Sequence, residues 1–187
     1  MAGCKNKDNI MKKIKLLFMF IFLILLGNLV YSGENDLGNR RTYDEYGFSF
    51  RPPVSFRERR TAAGVILYDW DYNSFVPVIN FEKAVYKKPV DDYVKELFSQ
   101  WENIYDNLSL IENSKFSTNN GIIGDRFIIS FELLSRKMKQ MFFIFNNNDI
   151  MTIIYITIDH AAKDEYIKIL DESIKTFQWQ GIIYISY

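Results

Sequence analysis

QMFFIFNNNDIMTIIYITI, residues 140–158, decides the fold of this chain. The runs MFFIF and IMTIIYITI are apolar on both faces of a strand. A strand made from either presents apolar side chains to both faces of its sheet and must be covered on both. Between them Asn146, Asn147, Asn148 and Asp149 are residues that tolerate left-handed backbone and bond their own main chain. The stretch is expected as a hairpin, with strands over 139–145 and 150–158 inside a covered sheet.

Upstream, stretches of strand periodicity at 110–117 and 122–134 flank Asn119-Asn120-Gly121, and Asn-Gly between strands is a strong hairpin signal. Further upstream the period changes. Val94, Leu97, Phe98, Trp101, Ile104, Tyr105 and Leu108 follow the i, i+3, i+4, i+7 spacing of an amphipathic helix over 89–108, which places Trp101 in the core. Asp91 or Asp92 is the expected N-cap. Downstream, Tyr166, Ile167, Leu170, Ile174 and Phe177 predict a second helix over 161–177 with Asp159 as its cap.

Towards the amino terminus, 64–68 and 76–85 read as strands rich in Val, Ile, Phe and Tyr. In EYGFSFRPPVSF, residues 45–56, Phe48 and Phe50 share one face of a short entry strand, with Ser49 and Arg51 on the other. Pro52 and Pro53 cannot donate to a ladder, so they end the pairing, and Phe56 turns back under the sheet. The order β-β-β-α-β-β-β-β-α with hairpin links gives an α+β fold. Its expected form is an α/β/α sandwich, with a mainly antiparallel central sheet of six to seven strands and one main helix on each side.

Ahead of this domain lies a different composition. Lys12, Lys13 and Lys15 precede an apolar run from Leu16 to Leu26, with small residues behind it, in the pattern of a secretory signal peptide over 1–32. Cleavage is expected before Gly33, and Met11 is the alternative start. The run is short for a membrane span, so a retained anchor is the alternative to cleavage. Residues 33–42 read as a polar linker, 43–180 as the globular domain, and 181–187 as a tail or edge strand. Export to the periplasm or cell envelope follows from this pattern.

The single cysteine, Cys4, precedes the apolar run, which leaves the exported part without disulfides or thiol chemistry. Residues 1–32 hold five of the 23 Lys and Arg and one of the 23 Asp and Glu, so the remainder carries 18 against 22. That acidic balance argues against nucleic acid as a partner.

YGFSFRPP at the entry strand, PVINFEKA before the first helix, NGIIGDRFIISF and the closing IKTF together resemble the PsbP-like superfamily of extrinsic photosystem II proteins and exported bacterial relatives. The resemblance covers about residues 43–179. It implies a sandwich fold, no common enzymatic activity, and docking onto larger protein assemblies. The family's tryptophan soon after the entry-strand proline is absent here, and Phe56 is expected to fill that space.

Four groups of residues are candidates for a site. Asp69, Asp71 and Asn73 stand at alternate positions, as at the start of a calcium loop. Ser74 and Asn80 occupy the places where such a loop needs Gly and Glu, so only a loose calcium site is conceivable and no other cofactor is expected. Trp70, Tyr72 and Phe75 in the same loop are the residue types that anchor protein interfaces; folded back, they would simply cover the sheet edge. Two basic segments are read as turns: Arg57, Arg59 and Arg60, and Arg136, Lys137 and Lys139. They are solvated charges or contacts for anionic lipid or an acidic partner. His160 lacks a visible partner for acid–base or zinc chemistry and reads as a helix-start surface residue.

The expected function is an exported, non-catalytic module that docks on a membrane-associated protein complex in the cell envelope. The alternative is an enzyme or small-ligand carrier with a pocket between the sheet and the first helix, using Glu82, Asp125 and Glu132.

Overall fold

A computed structural model describes residues 36–62, 64–69 and 77–180. The expected signal segment 1–32, the loop 70–76 and the expected tail 181–187 lie outside the described residues.

Seven strands form one antiparallel sheet in the order β3-β4-β5-β9-β8-β7-β6. They are β3 (Phe56–Thr61), β4 (Gly64–Asp69), β5 (Val78–Val85), β6 (Asp106–Ser117), β7 (Ile123–Leu133), β8 (Arg136–Asn147) and β9 (Ile150–Asp159). The hairpin read from residues 140–158 is β8–β9, and its register runs from Met138 opposite Asp159 to Asn147 opposite Ile150. As the doubly apolar pattern requires, its two faces enter two cores. Met141, Phe143, Phe145, Ile154 and Ile156 belong to one, and Phe142, Ile144, Met151 and Ile153 to the other.

Helix α1 (Val90–Trp101) covers the second of these cores. Val94 is buried there, and Leu97, Phe98 and Trp101 pack beside it. Trp101 is half-buried, its ring centroid 5.2 Å from that of Phe142. Helix α2 (Asp164–Lys175) covers the opposite face through Leu170 and Ile174, followed by Phe177. The layers are thus α1, the seven-stranded sheet, and α2.

A second, three-stranded sheet shares the α2 layer. Its strands are β1 (Arg41–Tyr43), β2 (Phe48–Phe50) and β10 (Gln178–Trp179), in the order β1-β2-β10. Phe48, Phe50, Tyr43 and Phe81 form an aromatic cluster with ring centroids 4.7–6.0 Å apart. Phe56 is fully buried in the same core. Ser49 is buried rather than solvated, and its Oγ accepts from Gln180 Nε2 at 2.7 Å.

Several boundaries differ from the sequence expectation. The domain begins at Leu37, inside the expected linker. Leu37 bridges Pro53, Gly38 N–H donates to the Pro52 carbonyl at 2.7 Å, and Arg40 donates to the Thr176 carbonyl at 2.9 Å. These are main-chain and arginine contacts, which apolar periodicity does not register. Helix α1 stops at Trp101 instead of running to residue 108. Ile104 is exposed, while Tyr105 lies against Phe131 at 4.3 Å as the chain enters β6. Apolar residues at a strand entry happened to continue the helical spacing. The helix caps also differ: Pro89 and Lys163 hold the N-cap positions without side-chain bonds. Asp91 and Asp92 lie in the first turn of α1, and Asp159 accepts from Ala161 N–H before α2 begins.

Candidate docking surfaces

The aromatic loop 70–76 joins β4 to β5, and its Trp70, Asp71, Tyr72, Asn73 and Phe75 lie outside the described residues. Its base is rigidly built. Asp69 N–H donates to the Pro77 carbonyl at 3.1 Å. The Asp69 side chain is buried, and Tyr166 Oη of α2 donates to its Oδ2 at 2.6 Å. This carboxylate is therefore turned into the domain and does not hang in water. Tyr166→Phe should lower stability by about 1–3 kcal/mol, because the buried Asp69 carboxylate loses this hydrogen bond; chemical denaturation would measure it.

Neither basic segment is a turn. Residues 57–60 belong to β3, the edge strand of the large sheet, because Arg57 to Arg60 pair with Tyr68 to Val65 of β4. Arg60 meets Glu58 at 3.2 Å and Glu45 at 3.5 Å, and Arg57 and Arg59 alternate onto the other side of the strand. Arg136, Lys137 and Lys139 open β8, opposite Leu133, Glu132 and Ser130. Four strand spacings, about 19 Å, separate β3 from β8, so the two groups make no single basic face.

The turn in question is Leu134-Ser135, a two-residue loop with φ of 52° and 63°. Positive φ at both central positions makes it a type I′ hairpin turn. Leu134 is 91 % exposed, and Leu133 43 %, at the same end of the sheet as Ile104, 66 % exposed. This apolar tip was hidden in the sequence because Leu133 and Leu134 extended the strand pattern. The signal available was Leu-Leu-Ser followed directly by Arg-Lys, a turn of unusual residues between two long runs.

The three carboxylates of the alternative reading do not converge. Asp125 and Glu132 lie an odd number of residues apart on β7 and face opposite sides, while Glu82 stands on β5, beyond β8 and β9. Asp125 pairs with Lys115, and Glu132 accepts from Asn107 Nδ2 at 3.0 Å. Glu82 lies near Tyr93 and Tyr155, whose phenols are pushed up first by burial and then by this carboxylate. Between the sheet and α1, Phe127, Ile129, Phe131 and Phe142 pack against the helix. His160 is exposed, as expected, and its N–H donates to the Lys137 carbonyl at 3.0 Å.

An ion network that sequence reasoning did not find links α2 to the sheet. Arg126 reaches Asp171 at 3.3 Å and Glu112 at 3.5 Å, and its guanidinium lies over the Phe143 ring at 5.8 Å. Burial pushes the Asp171 carboxyl up, against the pull of Arg126 and Lys175. Its residues are spread over β6, β7 and α2, so no local spacing could have announced it. It ties helix to sheet.

No family model and no curated protein sequence matches the chain. Solved structures do share its fold. Cyanobacterial PsbP (CyanoP) from Synechocystis sp. PCC 6803 is similar at TM-score 0.54 and 10% identity, over 80% of this chain and 95% of that one. The Saccharomyces cerevisiae Ran-binding protein Mog1p is similar at TM-score 0.52 and 10% identity, over 75% and 94%. A Pseudomonas aeruginosa protein of unknown function, PA94, gives 0.50 and 10%, over 65% and 94%. At such identity the likeness is one of architecture, and the architecture is PsbP-like.

Proposed function

We propose that this protein is an exported, non-catalytic binding module. It docks on a membrane-associated protein complex in the cell envelope through the loop 70–76. The observation that carries this reading is the loop itself. Three large rings, Trp70, Tyr72 and Phe75, stand within six residues, on a base fixed by the buried Asp69–Tyr166 bond. Interface anchors combine large rings with a rigid support, because little entropy is then lost on binding. A binding role also agrees with the fold, since one protein of this architecture is Ran-binding. Packing of aromatic side chains between the sheet and α1 speaks for this reading over a ligand carrier with its pocket there.

Trp70→Ala tests it. Docking predicts that the variant keeps its melting temperature within the range of a surface substitution, about 0.5 kcal/mol. Its affinity for the envelope complex captured by the wild-type protein should fall by about thirty-fold or more. A clearly lowered melting temperature would instead make the ring a cover for the sheet edge. A variant that keeps both stability and capture removes the loop from the interface.

A further inference from the structure

We propose that the β7–β8 hairpin tip inserts into the interface of a bilayer carrying anionic lipid, with Leu134 as the inserted side chain and Arg136 and Lys137 as its headgroup contacts. This surface is distinct from the loop 70–76 and does not depend on how that loop acts.

The argument starts from an internal comparison. Among the described residues, two two-residue hairpin turns have positive φ at both central positions, with the same φ values, 52° and 63°. One is Asn148-Asp149, built from residue types that accept left-handed backbone readily. The other is Leu134-Ser135. Leucine there sets its Cβ against its own carbonyl, a strain that Asn or Gly would relieve. At 91 % exposure Leu134 recovers nothing for that strain by burial within the domain. An unfavourable residue, in an unfavourable conformation and in water, points to an apolar environment outside the fold.

The surroundings select which environment. Leu134 caps a narrow two-residue turn, and Leu133 and Ile104 add apolar surface at the same end of the sheet. A protruding apolar tip suits penetration of an interface, where leucine is a favoured contact residue. Charges follow directly behind it. Arg136 stands opposite Leu133, and Lys137, Lys139 and the exposed His160 follow. Only Arg136 precedes the acidic residues on the way from the turn: Glu132 stands opposite Lys137 with Asp106 beside it, and Asp159 stands opposite Met138, while Glu132 accepts from Asn107. Leucines in front with cations just behind match the sequence of acyl boundary and anionic headgroups met on entering a bilayer.

The test uses the full chain with one probe per molecule. Cys4→Ser removes the only native thiol, and Leu134→Cys, labelled with the fluorophore NBD, reports on the tip itself. Asn148→Cys, labelled identically, reports on the opposite end of the sheet. With vesicles of phosphatidylcholine and phosphatidylserine, the probe at 134 should blue-shift and be quenched by spin-labelled acyl chains, while the probe at 148 should not respond. Arg136→Glu should weaken this response about tenfold, as expected for reversing one cation at an anionic surface.

Leu134→Asn separates insertion from a structural role. It should raise the melting temperature by about 2 °C by relieving the turn, while its affinity for the mixed vesicles falls at least several-fold. No spectral change at 134, an equal change at both probes, or a response only to the envelope protein complex would each overturn the proposal. A Leu134→Asn variant that is less stable than wild type would do the same.

Discussion

Phe177→Ala should lower the stability of the domain by about 3–5 kcal/mol, the usual loss on truncating a fully buried aromatic ring. Phe177 follows α2 and precedes β10, and it is completely buried. Its ring stacks on Phe145 of the large sheet with centroids 4.1 Å apart and planes 12° from parallel. It also meets Phe48 of the small sheet at 5.2 Å and Trp179 at 4.9 Å. One side chain therefore joins the two sheets. The cavity left by alanine would be walled by residues of both, and rigid rings cannot close it by rotation alone. Urea denaturation followed by circular dichroism would give the loss. Hydrogen exchange should quicken most in β1, β2 and β10, whose short ladders depend on this contact. A loss below about 1 kcal/mol would mean that the small sheet is not held through this ring.

Gly124→Ala should cost about 3 kcal/mol or more, at or beyond the upper end of overpacking effects. Gly124 lies in β7, and a Cβ there would come 2.6 Å from the Ile144 carbonyl oxygen and 2.7 Å from Cδ1 of Phe145. The carbonyl belongs to the neighbouring strand, so it cannot swing aside as a side-chain end would. Either the ladder opens locally or the Phe145 ring leaves its stack with Phe177. Gly121→Ala is the matched control. Its φ is +81° but nothing lies within 4 Å of the new Cβ, so only backbone strain of about 1–2 kcal/mol is expected. Equal effects at the two glycines, read by thermal or urea unfolding, would contradict the close approach at Gly124.

Both substitutions fall where residues distant in the chain meet, and that is where local patterning was blind. The candidate site shows the same division. The rings of the loop 70–76 were visible in the sequence as residue types, and so were the basic groups. That Asp69 is drawn inward by Tyr166, 97 residues away, was not. Nor was the placing of the arginines of β3 and the cations of β8 at separated strands of one sheet. Leu134 was read as strand because hydrophobicity says nothing about the sign of φ.

What the sequence by itself determined is local. Runs apolar on both faces, at 141–145 and 150–158, demanded a sheet covered on both sides. Asn-rich turns made neighbouring strands antiparallel, and two stripes of period 3.6 supplied the covering helices. Tertiary structure alone decided the rest. Strands β1 and β10 are three and two residues long, polar in part, and exist only because β2 lies between them. The arginine-rich β3 is a strand because β4 offers it a ladder. Short or charged segments have too little intrinsic preference to choose their conformation, so the partner across the ladder chooses it for them.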